Sequence, residues 1–363
     1  MYDSHGILSW LESHIQGMRR SRLKTLSSVV SGALLMKGVG VLALGRAMAH
    51  SGDVGAKHCI KRVWRFLRNP AVELEAVHKG LFSALAPLRG PIIVLCDWTD
   101  LGPFQQLVFS LPRDGRALPF LSVTVRKGTY AGEQSGSMLL AEIQALEELR
   151  RICPEERKVI VVCDRGFGHG RWLWDVQRLG FDFVQRLSQN HQVSVERYDG
   201  FLKQMGIPPQ SLSRDWGNGT LIGHEQLSLR LVTVYAADAA EPWYLVTSIE
   251  QEPAAEIVRI YKRRMWIEAM FRDLKNRNWG LGLDYVRLSQ PQRHDCHFLV
   301  IALAYAILCA FGAAAESLEL DKMWKANTNA ERVMSLARMG NYFIQILTLP
   351  IDTAMRALAE VPT

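Results

Sequence analysis

None of the six cysteines, Cys59, Cys96, Cys153, Cys163, Cys296 and Cys309, pairs as Cys-x-x-Cys. That spacing excludes a zinc-ribbon frame, and their apolar surroundings mark reduced core residues, not a disulfide scaffold. The N-terminus MYDSHGILSW lacks a basic stretch followed by an apolar core, so no signal peptide is expected. No internal repeat or low-complexity tract occurs. Charged residues make up 22% of the chain and hydrophobic residues 48%, a balance that excludes global disorder and allows a sizeable core. Acidic residues are missing altogether from Val54 to Val72.

That gap is part of a wider asymmetry. Residues 1–90 hold 13 Lys/Arg against 5 Asp/Glu, a net +8, whereas the whole chain of 363 residues carries +7. A basic N-terminal part on a near-neutral body suggests a polyanionic partner, nucleic acid or a membrane surface. Segments 39–50 and 56–69 read as helices joined by the turn HSGDVG. In the second, Lys57, Lys61, Arg65 and Arg68 recur every three or four residues opposite Ile60, Val63, Trp64 and Leu67, and Pro70 marks the end. The pair is compatible with a helix-turn-helix whose second helix faces DNA, and equally with a solvated surface helix.

From residue 91 the pattern changes. PIIVLCDWTD and KVIVVCDRGFG are buried-strand runs that each end in Asp. Between them, Asp114-Gly115 signals a hairpin and residues 134–151 a helix. A helix near 170–180 and the strand FDFVQRL follow, then a β-rich stretch over 190–250 and a long helix from about 254 to 276. The tail, 298–363, looks helical. Its first 18 residues, FLVIALAYAILCAFGAAA, carry no charge. They suit a buried core helix and stand at the lower edge of membrane-spanning length.

In YKRRMWIEAMFRDLK, residues 261–275, a continuous helix at about 100° per residue places Tyr261, Arg264, Glu268 and Lys275 within an arc of about 60°. Ile260, Ile267, Met270, Phe271 and Leu274 form a separate apolar face. The bland alternative is a surface stripe with an Arg264–Glu268 ion pair. If the strands ending at Asp97 and Asp164 pair in parallel, both carboxylates emerge at the sheet edge where ligands gather. The helix of Glu268 placed against that edge makes three. Such oxygen ligands suit two Mg²⁺ or Mn²⁺ ions acting on a phosphodiester. Asp100 competes with Asp97, and Glu142 and Glu147 compete for the third place. Strand-end Asp residues also serve as plain turn formers or caps.

The pattern Tyr261-x2-Arg264-x3-Glu268-x6-Lys275 resembles the Y-R-E-K signature of bacterial insertion-sequence DDE transposases, and CDWTD and VCDRGFG resemble their first two catalytic Asp motifs. The resemblance covers about 92–285. It implies a mixed α/β fold: a ribonuclease-H-like, retroviral-integrase-like core over 91–190 and 251–290 with a β-rich insertion at 191–250. A helical DNA-binding domain, 1–90, and a helical C-terminal region, 291–363, would complete the chain. It further implies Asp97, Asp164 and Glu268 as catalytic metal ligands, and Tyr261, Arg264 and Lys275 as phosphate contacts at the transposon end. Trp243, in PWYLVTSIE, stands where such enzymes stack a flipped base during hairpin formation; Trp216, read as a loop residue, is a second candidate. The insertion is shorter than in the best-known relatives, which bears on the hairpin step.

The expectation is therefore a cytoplasmic, nucleoid-associated DNA transposase with no membrane partner. Two protomers, by the same resemblance, would join two double-stranded DNA ends to target DNA. Its basic N-terminal residues Lys57, Lys61, Arg65 and Arg68 would supply DNA affinity. The rivals are a catalytically silent DNA-binding regulator and a ribonuclease-H-like nuclease that cuts without strand transfer.

Overall fold

A computed structural model describes residues 4–36, 38–50, 54–128, 137–237, 239–278, 280–326, 328 and 332–363. The N-terminal region is helical: α1 (Ser4–His14), α2 (Arg20–Leu35), α3 (Val41–His50), α4 (Ala56–Leu67) and α5 (Leu74–Leu85). Strands β1 (Ile92–Leu101), β2 (Phe104–Arg113) and β3 (Arg116–Arg126) follow, then α6 (Ser137–Ile152), β4 (Val159–Cys163), α7 (Gly170–Arg178) and β5 (Asp182–Leu187). The stretch expected to be β-rich holds β6 (Gln192–Val195), β7 (Tyr198–Phe201), β8 (Ser211–Leu221), β9 (His224–Tyr235) and β10 (Trp243–Thr247). Helices α8 (Ala254–Lys262), α9 (Met265–Lys275), α10 (Pro291–Ser317), α11 (Leu336–Phe343) and α12 (Ile351–Glu360) end the chain. The turn expected between α3 and α4 falls largely on residues 51–53, outside the described residues.

The chain divides into two compact units, and β1 runs from one into the other. One unit comprises Met1–Pro87, Trp98–Thr129 and Glu268–Thr363. Its centre is α10, against which α2, α5, β3, α11 and α12 pack. Among the described residues α10 is the one helix long and apolar enough to cross a membrane, and its apolar window is wholly buried within the protein. The uncharged run of the sequence is thus a core helix, and the polar groups it buries are paired. The His297 imidazole donates from Nε2 to the Val39 carbonyl at 2.6 Å. The Tyr305 hydroxyl donates to Asp273 Oδ2 at 3.0 Å, and Arg116 Nε binds the same oxygen at 2.7 Å. The β2–β3 hairpin turns at Asp114 and Gly115, with φ of 25° and 82°. Two successive positive φ values match the right-handed strand twist, so the Asp-Gly signal acts as expected.

In the same unit α3 crosses α4 at Gly45. A Cβ added there would stand 2.6 Å from the Ile60 Cα and 2.7 Å from its amide nitrogen, so the helices meet backbone to backbone. Cys59, Val63, Phe66 and Leu67 of α4 face inward, and Lys57, Lys61, Arg62, Arg65 and Arg68 are exposed.

The second unit comprises Leu88–Asp97 and Tyr130–Ile267. Its strands lie in the order β1-β4-β5-β10-β9-β8-β6-β7. β1, β4 and β5 are parallel, β10 pairs antiparallel with β5, and the strands beyond continue antiparallel. The apolar runs of β1 and β4 are buried, as parallel central strands must be. Trp216 belongs to β8 and not to a loop. It is buried, and its indole N–H donates to Thr233 Oγ1 at 2.9 Å. The alternation of "RDWGNGT" is interrupted by glycines, which accommodate register shifts in β8 and disguise the strand in the sequence. All six cysteines are buried free thiols.

Candidate active site

The parallel register of β1 on β4 runs from Ile92↔Val159 to Cys96↔Cys163. The next residue on each strand is therefore an aspartate, Asp97 beside Asp164. Buried Cys96 and Cys163 lie just beneath; burial raises both thiols, and the hydrogen bond between them raises Cys96 further and pulls Cys163 back. Asp164 ends β4 and caps the short 3-10 turn Arg165–Phe167, its Oδ1 accepting from the Gly166 amide at 2.8 Å. The Asp cap that sequence treats as a bland possibility is thus real, and it leaves Oδ2 directed elsewhere.

That other oxygen meets a cation. Arg264 Nη2 lies 3.3 Å from Asp97 Oδ2 and 3.7 Å from Asp164 Oδ2. Arg264 is not on the middle of a helix, as a continuous 254–276 helix would require. The chain breaks between α8 and α9, and the amides of Arg263, Arg264, Trp266 and Ile267 bond three residues back, to Ile260, Tyr261, Arg263 and Arg264. Each residue at three per turn advances the phase by about 20° more than an α-helical one. The continuous helix on which the single arc of Tyr261, Arg264, Glu268 and Lys275 rests is therefore two helices. Tyr261 ends up buried on α8, Arg264 at the turn, and Glu268 and Lys275 on α9. No Pro or Gly marks the position, so no local signal announces it. The expected apolar face, Ile260, Ile267, Met270, Phe271 and Leu274, is buried throughout.

Burial pushes the Tyr261 phenol up to about 12, against the opposing pull of Arg264 and Arg186. Its ring meets half-buried Trp243 edge-on at 5.1 Å. Trp243 borders a cavity of about 460 Å³ together with Arg186, Glu241, Lys262 and Met265. The Arg186 guanidinium lies 5.9 Å from its ring, and Glu241 accepts from both Arg165 (2.9 Å) and Arg186 (2.8 Å). Sequence reasoning missed Arg186 and Glu241. The available signal was a lone cation, Arg186, in the apolar strand that follows the second Asp motif.

The other expected residues are placed as follows. Lys275 Nζ lies 3.2 Å from the Asp100 carbonyl and 3.4 Å from Asp284 Oδ1. Asp100 pairs with Lys127 at 2.9 Å, which together with Gln105 holds its carboxyl below the usual range against the effect of burial. Glu142, on α6, is buried with His169 Nε2 3.4 Å from its Oε2. Glu268 is half-buried in the first turn of α9. Among the described residues no three His, Cys, Asp or Glu side chains stand together as a metal-holding set. Within the second unit the two expected aspartates stand together, with the Arg264 guanidinium in reach of both. Two carboxylate oxygens already converging on one cation fit a hard divalent ion, since they offer oxygen donors and no soft ligand.

An acidic pair at the carboxyl ends of adjacent parallel strands sits where sheets of this kind gather their ligands. Residues 122–307, just over half the chain, match the family model of the transposase DDE domain, and the chain belongs to that DDE transposase family. The match spans Asp164, Trp243, Tyr261, Arg264, Glu268 and Lys275, and Asp97 precedes it. No curated protein matches the chain. Members of this family act on DNA and generally use divalent metals.

Proposed function

We propose that the protein is a DNA transposase that binds the inverted repeats of an insertion sequence, nicks DNA with Asp97, Asp164 and Glu268 as catalytic residues, and joins the freed 3′ end to target DNA. The observation that carries the reading is the register that sets Asp97 beside Asp164 with Arg264 in reach of both. Asp97 and Asp164, joined by Glu268, would hold two Mg²⁺ or Mn²⁺ ions, which when bound would activate the attacking oxygen and stabilise the leaving one. Arg264 is the phosphate contact closest to the acids. A DNA phosphate draws the guanidinium away from the carboxylates, because a phosphate accepts the same bidentate fork. Tyr261, neutral at any physiological pH, offers its phenol as a donor to phosphate, and Lys275 adds charge. Trp243, half-buried at the rim of the Arg186–Glu241 cavity, is the stacking surface for an extruded base, consistent with excision through a hairpin. The helical module of residues 1–90 supplies DNA affinity through Lys57, Lys61, Arg65 and Arg68, all exposed. A homodimer follows from the need to hold two ends.

The test is Mg²⁺-dependent nicking of DNA carrying the flanking inverted repeats. Asp164→Ala is expected to abolish nicking and leave DNA binding in place. Equal nicking by that variant removes the assignment. Transfer of the nicked end to a plasmid separates a transposase from a nuclease that only cuts.

A further inference from the structure

The cationic face of α4 does not open onto solvent alone. A cavity of about 350 Å³ lies among the N-terminal helices, lined by Ser4 of α1, Ser28 and Ser31 of α2, Met48 of α3, Val54, and His58, Cys59, Lys61, Arg62 and Arg65 of α4. His58, Lys61, Arg62 and Arg65 follow the i, i+3, i+4, i+7 spacing of one helix face. At about 100° per residue, with Lys57 as zero, Arg68, Lys61, Arg65, His58 and Arg62 fan out over about 140°, and Cys59, Val63, Phe66 and Leu67 occupy the opposite side. One end of the cationic arc, Lys57 and Arg68, stays clear of the cavity, and the other end lines it. Among the described residues that line it there is no carboxylate. Lys61 and Arg65 have neither a hydrogen bond nor an ion pair among the described residues. Arg62 makes one long contact, 3.4 Å to Thr25 Oγ1.

We infer that this cavity is a seat for a phosphate ester. Its guanidinium forks, ammonium and hydroxyls outnumber the two oxygens of a carboxylate, and suit phosphate oxygens, which take bidentate Arg and Ser donors together. The volume, at the low end for ligand sites, admits one phosphate with its sugar. Resting on the transposase reading, the occupant is a backbone phosphodiester of the bound repeat, gripped at the edge of the arc so that Lys57 and Arg68 lie along the neighbouring phosphates. The seat then fixes the rotation of α4 on the duplex. That is a positioning role, distinct from any base contact.

The full-length protein is titrated with a 20-base-pair duplex of mixed sequence, by fluorescence anisotropy between 50 and 200 mM salt. Lys61→Gln with Arg65→Gln is expected to weaken binding and to flatten the slope of log K against log salt by about 1.8, some 0.9 for each lost phosphate contact. Ser31→Ala removes a hydroxyl and no charge, and is expected to weaken binding several-fold at unchanged slope. Unspecific attraction to the arc would not give that split. AMP and inorganic phosphate are tested in parallel by thermal shift. Stabilisation of the wild type and not of the double variant at millimolar AMP assigns the seat to a free phosphomonoester instead of the DNA backbone. Wild-type binding by Ser31→Ala, with no shift by either small anion, overturns the seat and leaves the transposase reading standing; wild-type affinity and slope in the double variant as well would also remove Lys61 and Arg65 from DNA binding, but not the catalytic assignment. A wild type that binds no duplex at all removes the DNA reading, and the AMP arm alone then decides the seat.

Discussion

His297 is the clearest case of one residue tuned by its burial. It sits on the central helix α10, fully enclosed, and burial drags its pKa down to about 4 against the pull of the Val39 carbonyl that accepts its Nε2–H. His294, one turn earlier, is shifted down for the same reason. A histidine whose folded pKa lies below the unfolded value of about 6.5 gives full stability above that value. Stability is lost as pH falls towards the folded pKa, because only the unfolded chain then takes up the proton. The full span is about 3 kcal/mol, of which about 2 kcal/mol is lost by pH 5. Urea unfolding at pH 7 and pH 5 measures it. In His297→Gln, whose amide can still donate to Val39, the loss between the two pH values is expected to shrink by about 2 kcal/mol. An undiminished loss would assign the acid sensitivity to other groups.

At the level of helices and strands, the α3–α4 crossing depends on the absence of a side chain. Ala at Gly45 would place its Cβ inside the backbone of Ile60, which has no rotamer to move. Gly45→Ala therefore has to push the helices apart, at about 1–3 kcal/mol, and turn the cationic arc of α4. Lower melting temperature together with weakened DNA binding is expected. Weakened stability at full DNA affinity would mean that the arc does not contact DNA. The crossing was invisible in the sequence, where Gly45 is one small residue in an apolar helix. Other elements were legible because their signals are local and obligatory. Asp114-Gly115 needs two positive φ values, the β1 and β4 runs are too apolar for any edge, and the charge-free α10 run has to be enclosed. The α8–α9 break was not legible. Its sequence has helix formers throughout, and the overwinding is settled by tertiary contacts: Tyr261 buried against Trp243 on one side and Arg264 held by Asp97 and Asp164 on the other. The acidic pair could be anticipated from two strand ends. The guanidinium between them could not, since a fixed spacing says which residues recur and not which one turns inward.

For the molecule as a whole, the proposed function would give the positive charge gathered in residues 1–90 and the acidic pair on β1 and β4 one polyanion to act on, and the acidic pair brings an electrostatic problem of its own. Two carboxylates on adjacent strands repel each other, and within the folded protein Arg264 offsets that repulsion. A divalent cation held as proposed would do the same with two charges, and cation and guanidinium would then compete for one place. Arg264→Gln should then bind Mn²⁺ about tenfold more tightly than the wild type by calorimetry, equivalent to about 1.4 kcal/mol. Its thermal stabilisation by millimolar Mn²⁺ should be correspondingly larger, because a ligand that binds the folded state alone stabilises it in proportion to the logarithm of its saturation. Asp164→Asn removes the charge and one carboxylate oxygen of Asp164, and should weaken Mn²⁺ binding in both backgrounds. Nicking moves the opposite way, since the guanidinium that blocks the cation is also the one proposed to hold the phosphate. Tighter metal with slower cleavage in a single variant separates a dual-purpose Arg264 from one that is merely structural, which would lower both. Mn²⁺ affinity unchanged by Arg264→Gln would show that the guanidinium and the metal occupy different places, and the acidic pair would then have to open towards its ions by another route.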